Sequence, residues 1–197
     1  MEESRKNKLL AKRERNKKLR EITEYCQDHV IPWLDVYLPL KRDGAVLEVE
    51  SLAVTFGNER KLFEEALMAL LPDDEQSLLS DVTEAATLPI HQKMEDYFPS
   101  RQSLRYFPEG GSLKSITSDL SNILDAAVTR LDISEADKCL VCYPIYTPVL
   151  SMSFQEIRNH ADILLNPSEC IALIHEEFDW MIFRSLEDEW VWARNSN

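Results

Sequence analysis

The first eighteen residues of this chain have no route into a hydrophobic core. Residues 1–20 hold nine lysines or arginines against Glu2, Glu3 and Glu14, a net of +6. At helical spacing these charges go all the way round, and Leu9 and Leu10 do not align with any later apolar stripe. From Leu19 onward the character changes, because Leu19, Ile22, Cys26 and Val30 share one face, the spacing of a helix docking on a core. The pattern predicts a helix over 20–30 whose end is limited by Pro32, preceded by a solvated or frayed helical extension. The expected organisation is a basic arm over 1–18 and a single α+β domain over 19–197.

The remaining 177 residues carry 13 basic and 32 acidic side chains, a net of −19. A body so charged repels nucleic acid and anionic membrane and attracts basic surfaces, while the arm has the opposite preference. With 44% hydrophobic and 29% charged residues the chain has the means to bury a core. Leu9-Leu10-Ala11 runs directly into Lys12-Arg13, so the apolar core of a signal peptide is missing, and no apolar run is long enough to span a bilayer. A soluble, cytoplasmic protein with reduced thiols and no membrane partner is therefore expected. Only four glycines are present, which argues against a glycine-rich nucleotide loop.

Along the chain, the β-branched stretch over 45–56 suggests one or two strands, and Asn58 could cap a helix that runs to Leu71 and stops at Pro72. Residues 73–98 read as short helices broken at Pro89 and Pro99, and 99–112, with Gly110-Gly111, as a loop. The clearest helix spans 113–131, where Leu113, Ile116, Leu120, Ile123, Leu124, Ala127 and Leu131 form one narrow face. Strands follow at 138–143 and 149–152. Ser153 with Glu156 makes a capping box that opens a helix to about Leu165. Residues 171–175, 180–184 and 189–193 then form an antiparallel meander. The fold class is α+β, a helical N-terminal half packed on a small, mostly antiparallel sheet from the C-terminal half.

Four cysteines raise metal and redox readings. Cys139 and Cys142 lie three apart on a predicted strand and so point to opposite faces, which suits neither a redox pair nor a zinc site. Cys26 and Cys170 stand alone, and all four read as core thiols, with no metal or cofactor implied. His29, His91, His160 and His175 are scattered. His175 or His160 beside a carboxylate would serve a hydrolase as a general base, although no nucleophile accompanies either.

The acidic clusters are a stronger signal. No Lys or Arg occurs between Lys61 and Lys93, where Glu64, Glu65, Asp73, Asp74, Glu75, Asp81 and Glu84 lie. A second run around Glu176, Glu177, Asp179, Glu187, Asp188 and Glu189 is interrupted only by Arg184. Neither has the spacing of a calcium loop. Three of the four tryptophans, Trp180, Trp190 and Trp192, fall beside the second run. Alternation puts Trp180 with Ile182, and Trp190 with Trp192, on single faces, so one sheet face packs on helices and the other is partly exposed. Tryptophan is a core residue and also the usual centre of a binding surface rimmed by charge.

These features point to an interaction protein whose acidic surface binds a basic protein. Its most concrete form is an immunity-type inhibitor, a class common in bacteria, covering the positive active site of a nuclease or similar toxin. The expected contacts are Glu176, Glu177, Asp179, Trp180, Glu187, Asp188 and Trp190, and nothing is catalysed. The arm residues Lys12, Arg13, Arg15, Lys17 and Lys18 would bind phosphates or nucleic acid, rest on the acidic body of this chain or a second copy, or simply face solvent.

Overall fold

The structure is a computed structural model that describes residues 2–51, 60–79, 114–115, 122–143, 149–165, 170–185 and 189–195. Helix α1, Glu2–Tyr25, is continuous through the basic segment, and residues 5–18 are exposed on every side. It gains a core face where the apolar stripe begins, with Leu19 half-buried and Ile22 and Cys26 buried. The arm is thus a solvated helix rather than a frayed one.

Pro32 does not end this run. Residues Cys26–Val30 form a π-helical turn that leads without a break into α2, Ile31–Arg42, where Pro32 occupies the first turn. Proline has no amide to donate, and the π turn just before it is where the regular i→i−4 ladder is already interrupted. The far end of α2 is closed by a paired cap. Ala45 N–H donates to Leu40 O at 3.0 Å and Gly44 N–H to Lys41 O at 3.2 Å. Gly44 sits at φ +80°, a conformation that glycine adopts without a Cβ penalty.

Strand β1, Glu48–Ser51, precedes α3, Arg60–Leu70, which buries Phe63, Ala66 and Leu67. Pro72 ends that helix and begins a short α4, Asp73–Gln76, followed by a 3₁₀ turn over Ser77–Leu79. Tyr37 Oη donates to Leu78 O at 2.9 Å, tying this turn to α2. Asn58, the breaks at Pro89 and Pro99, and the loop over 99–112 fall outside the described residues.

The helix expected over 113–131 is shorter than its periodicity suggests. Lys114–Ser115 form β2 and α5 spans Ile123–Leu131, while 116–121 lie outside the described residues. Lys114 pairs with Trp192 and Ser115 with Val191, so a free sheet edge takes residues that local spacing assigned to a helix. Within α5 the expected face is kept, with Ile123, Leu124, Ala127 and Leu131 buried.

The sheet is antiparallel throughout. Strands β3 (Lys138–Cys142), β4 (Val149–Ser153), β5 (Ile171–His175), β6 (Trp180–Arg184) and β7 (Trp190–Arg194) join the first two in the order β1-β4-β3-β5-β6-β7-β2. The expected β5–β6–β7 meander is present. After β4, Ser153 Oγ accepts the Glu156 amide at 3.2 Å, the predicted cap of α6, Phe154–Asn159. A turn at His160 then separates α6 from α7, Ala161–Leu164.

One face of the sheet presents Cys139, Val141, Leu150, Met152, Leu173, Trp180, Ile182 and Trp190 to the helices. The opposite face holds Leu140, Cys142, Ala172, Ile174, Phe178, Met181 and Phe183, each closed to solvent as completely as the first set. The expectation of a partly exposed face is corrected here. Residues 171–174 and 180–183 are unbroken apolar runs, the pattern of strands buried on both sides.

Phe154 is fully buried and meets Trp180 edge-on at 6.3 Å between ring centroids. Phe154→Ala should lower unfolding free energy by about 3–5 kcal/mol, read from the urea midpoint. Ser153→Ala, which removes only the cap, should cost about 1 kcal/mol in the same assay.

Candidate functional site

The antiparallel order brings one end of several strands together. Glu48 at the start of β1, Lys138 at the start of β3, His175 at the end of β5 and Trp180 at the start of β6 all lie at this end. The β5–β6 turn carries Glu176, Glu177 and Asp179, all exposed. It is fastened at three points. Glu176 N–H donates to Lys138 O at 3.0 Å, Phe178 N–H to His175 O at 2.8 Å, and Asn195 N–H to Asp179 O at 2.7 Å.

Phe178 explains why the carboxylates face outward. Its backbone is left-handed, at φ +64°, which costs a non-glycine residue about 1–2 kcal/mol. The side chain is 1% exposed in the second core face, and burying a phenylalanine returns about 1.5–3 kcal/mol. The anchored ring holds the turn in a shape that leaves its three acids in water.

Neighbouring carboxylates come from the loop before β3. Asp137 Oδ2 accepts the Ser134 amide at 2.9 Å, and the Cys139 thiol pKa is raised first by burial and then by the nearby charges of Asp137 and Glu176. Two cations thread this acidic ground. Lys138 Nζ lies 3.6 Å from Glu48 and 4.0 Å from Glu176, while Arg158 pairs with Glu135 at 3.1 Å and with Asp125. Exposed pairs of this kind contribute only about 0–1 kcal/mol each, so they orient the groups more than they stabilise the fold.

The structure separates the expected contact residues into groups. Glu176, Glu177 and Asp179 share the exposed turn, whereas Trp180 and Trp190 are core residues at 3% and 4% exposure. The indoles face the helices and offer no aromatic centre to a docking partner. Glu187 and Asp188 lie outside the described residues. In the first acidic run, Glu65 pairs with Arg15 and Glu75 with Arg42. The contributions of Glu48, Glu135 and Asp137 are not visible in the sequence, because each lies far along the chain from Glu176.

The two histidines are bound into local structure. His175 stacks on Trp180 at 5.7 Å with its Nδ1 3.1 Å from Asp179 Oδ2. His160 is 11% exposed, with Nδ1 3.1 Å from Asp43 Oδ2 and Nε2 3.4 Å from Glu156 Oε2. Glu156 also accepts the Val46 amide at 3.0 Å. Both nitrogens of His160 therefore face carboxylates of the protein itself, and the ring links the end of α2 to α6. Among the described residues, no group of three or more His, Cys, Asp or Glu is placed to hold a metal ion.

All four cysteines are buried and unbridged, and Cys139 and Cys142 fall on opposite sheet faces as their spacing required. Burial pushes the thiols of Cys26 and Cys139 up from 9.0 to about 12. The folded state holds these protons, so the associated stability is complete below pH ~9, the unfolded value, and is lost as pH rises toward 12. Urea midpoints should show this loss only above pH ~9, and less of it in a Cys26→Ala/Cys139→Ala variant. At pH 8 the native chain should react with a thiol reagent at least tenfold more slowly than the denatured chain.

No protein-family description, curated protein or solved structure matches this chain.

Proposed function

We propose that this protein is a cytoplasmic interaction module that binds a basic protein through the acidic end of its sheet. The observation that carries the reading is the β5–β6 turn, where a buried Phe178 holds Glu176, Glu177 and Asp179 outward beside Glu48 and Asp137. In its most concrete form the protein is an immunity-type inhibitor of a basic toxin such as a nuclease. Its carboxylates would occupy positions that substrate phosphates otherwise fill, and nothing is catalysed. Opposite charge speeds the encounter and fixes orientation, while turn rigidity limits the entropy lost on binding.

The buried tryptophans revise the mechanism. Affinity must come from charge-assisted hydrogen bonds and from whatever apolar contact the partner provides, since Trp180 and Trp190 serve the core. A hydrolase built on a histidine and a carboxylate is less well supported. His160 has both nitrogens committed, and the contacts of His175 are an indole and a turn aspartate.

Recovery of partners from the native host with the tagged full chain should yield a basic protein in stoichiometric amount, retained when residues 1–18 are deleted. Reversing the turn charges (Glu176→Lys, Glu177→Lys and Asp179→Lys) should slow association at least tenfold at low salt, measured by surface plasmon resonance. An unchanged association rate would remove the turn from the interface.

A further inference from the structure

The geometry points to a second, separate binding surface: the outward side of α1 is a docking strip for the phosphate backbone of a nucleic-acid duplex. This inference does not rest on the acidic end of the sheet. Helix α1 is about 36 Å long at 1.5 Å per residue. Arg5, Lys6, Lys8, Lys12 and Arg13 are all exposed and make no ion pair among the described residues. Further along the helix, Arg15 is taken by Glu65, and Lys17 and Arg20 lie 3.7 and 3.5 Å from Glu21 and Glu24. The unpaired cations therefore cluster in the distal half, ahead of Arg15.

Counting about 100° per residue, Arg5, Lys6, Leu9, Arg13, Lys17 and Arg20 share one arc of about 120° on α1, whose centre lies about 125° from the Leu19–Ile22–Cys26 stripe. That arc contains no carboxylate between Arg5 and Arg20. The acidic body does not cancel its far end. Arg5 lies about 15 Å along the helix axis from Arg15, beyond the Debye length of about 8 Å at physiological salt.

The composition of the strip selects the occupant. A helix that docks in a protein groove presents apolar anchors at i, i+3 or i+4, and i+7, and one that lies on a membrane needs an apolar face. Here Leu9, 62% exposed, is the lone apolar residue on the strip, and Leu10 lies about 100° away from it. Phosphate binding requires only cations in a row, which is what the strip supplies. The contact reads charge rather than base sequence.

The test uses the full chain and a fluorescently labelled, mixed-sequence DNA duplex of about 20 base pairs, followed by anisotropy between 50 and 200 mM salt. Engagement of the strip's three unpaired cations, Arg5, Lys6 and Arg13, predicts a slope of log affinity against log salt of about −2.7, a loss of roughly 40-fold across that range. Arg5→Gln/Arg13→Gln should reduce the slope to about −0.9, with a loss of roughly fourfold, and leave the melting temperature unchanged because both side chains are exposed. The turn variant with Lys at 176, 177 and 179 should keep the wild-type slope, which separates this surface from the acidic end. Absence of duplex binding at 50 mM salt overturns the proposal, as does a slope unaffected by the arm substitutions. Salt-sensitive dimers of the chain, or binding to anionic vesicles, without duplex binding would assign the strip to those partners instead.

Discussion

The central strands of this protein are apolar on both faces, and the rest of the molecule is arranged around that constraint. Leu140, Ile174, Met181 and Phe183 point one way, and Val141, Leu173, Trp180 and Ile182 the other, all closed to solvent. With both faces committed to packing, the sheet offers function only its ends and its turns. The acidic β5–β6 turn is such a place, and its shape is set by a core residue: Phe178 accepts a left-handed backbone because its ring is worth more inside than the conformation costs.

The same logic separates arm from body. A segment with cations on every face gains nothing by docking, so α1 leaves the core at the point where its apolar stripe stops, near Leu19. A single helix thus connects two electrostatic environments of opposite sign. Arg15 and Glu65 mark where they meet, with Arg15 at the root of the arm and Glu65 on α3. Beyond it, the positive charge is presented on an exposed helix, with no ion pair to the body among the described residues.

Much of the β half was legible in residue order. The Ser153–Glu156 cap, the opposed faces of Cys139 and Cys142 and the meander from Ile171 onward depend on spacings of a few residues, which the backbone converts directly into geometry. Local spacing misled in two places. Lys114 and Ser115 fall within the helix that the periodicity of their neighbours predicts, yet they pair with Trp192 and Val191, because a free sheet edge offers more than one extra turn of helix. Pro32 reads as a stop, yet the chain passes through a π turn and uses the proline to begin the next helix.

The sequence by itself determined which segments could be buried, which face of each strand a side chain would take, and that the first eighteen residues would stay in water. Only the tertiary structure decided which charges became neighbours. Glu48, Asp137 and Glu176 are far apart in the chain, and strand register alone brings them to one end of the sheet. It also decided that Trp180 and Trp190 belong to the core, since alternation sets their face but not what covers it. Periodicity is a property of a few adjacent residues, whereas a surface is assembled from strand ends that meet only after the chain has folded.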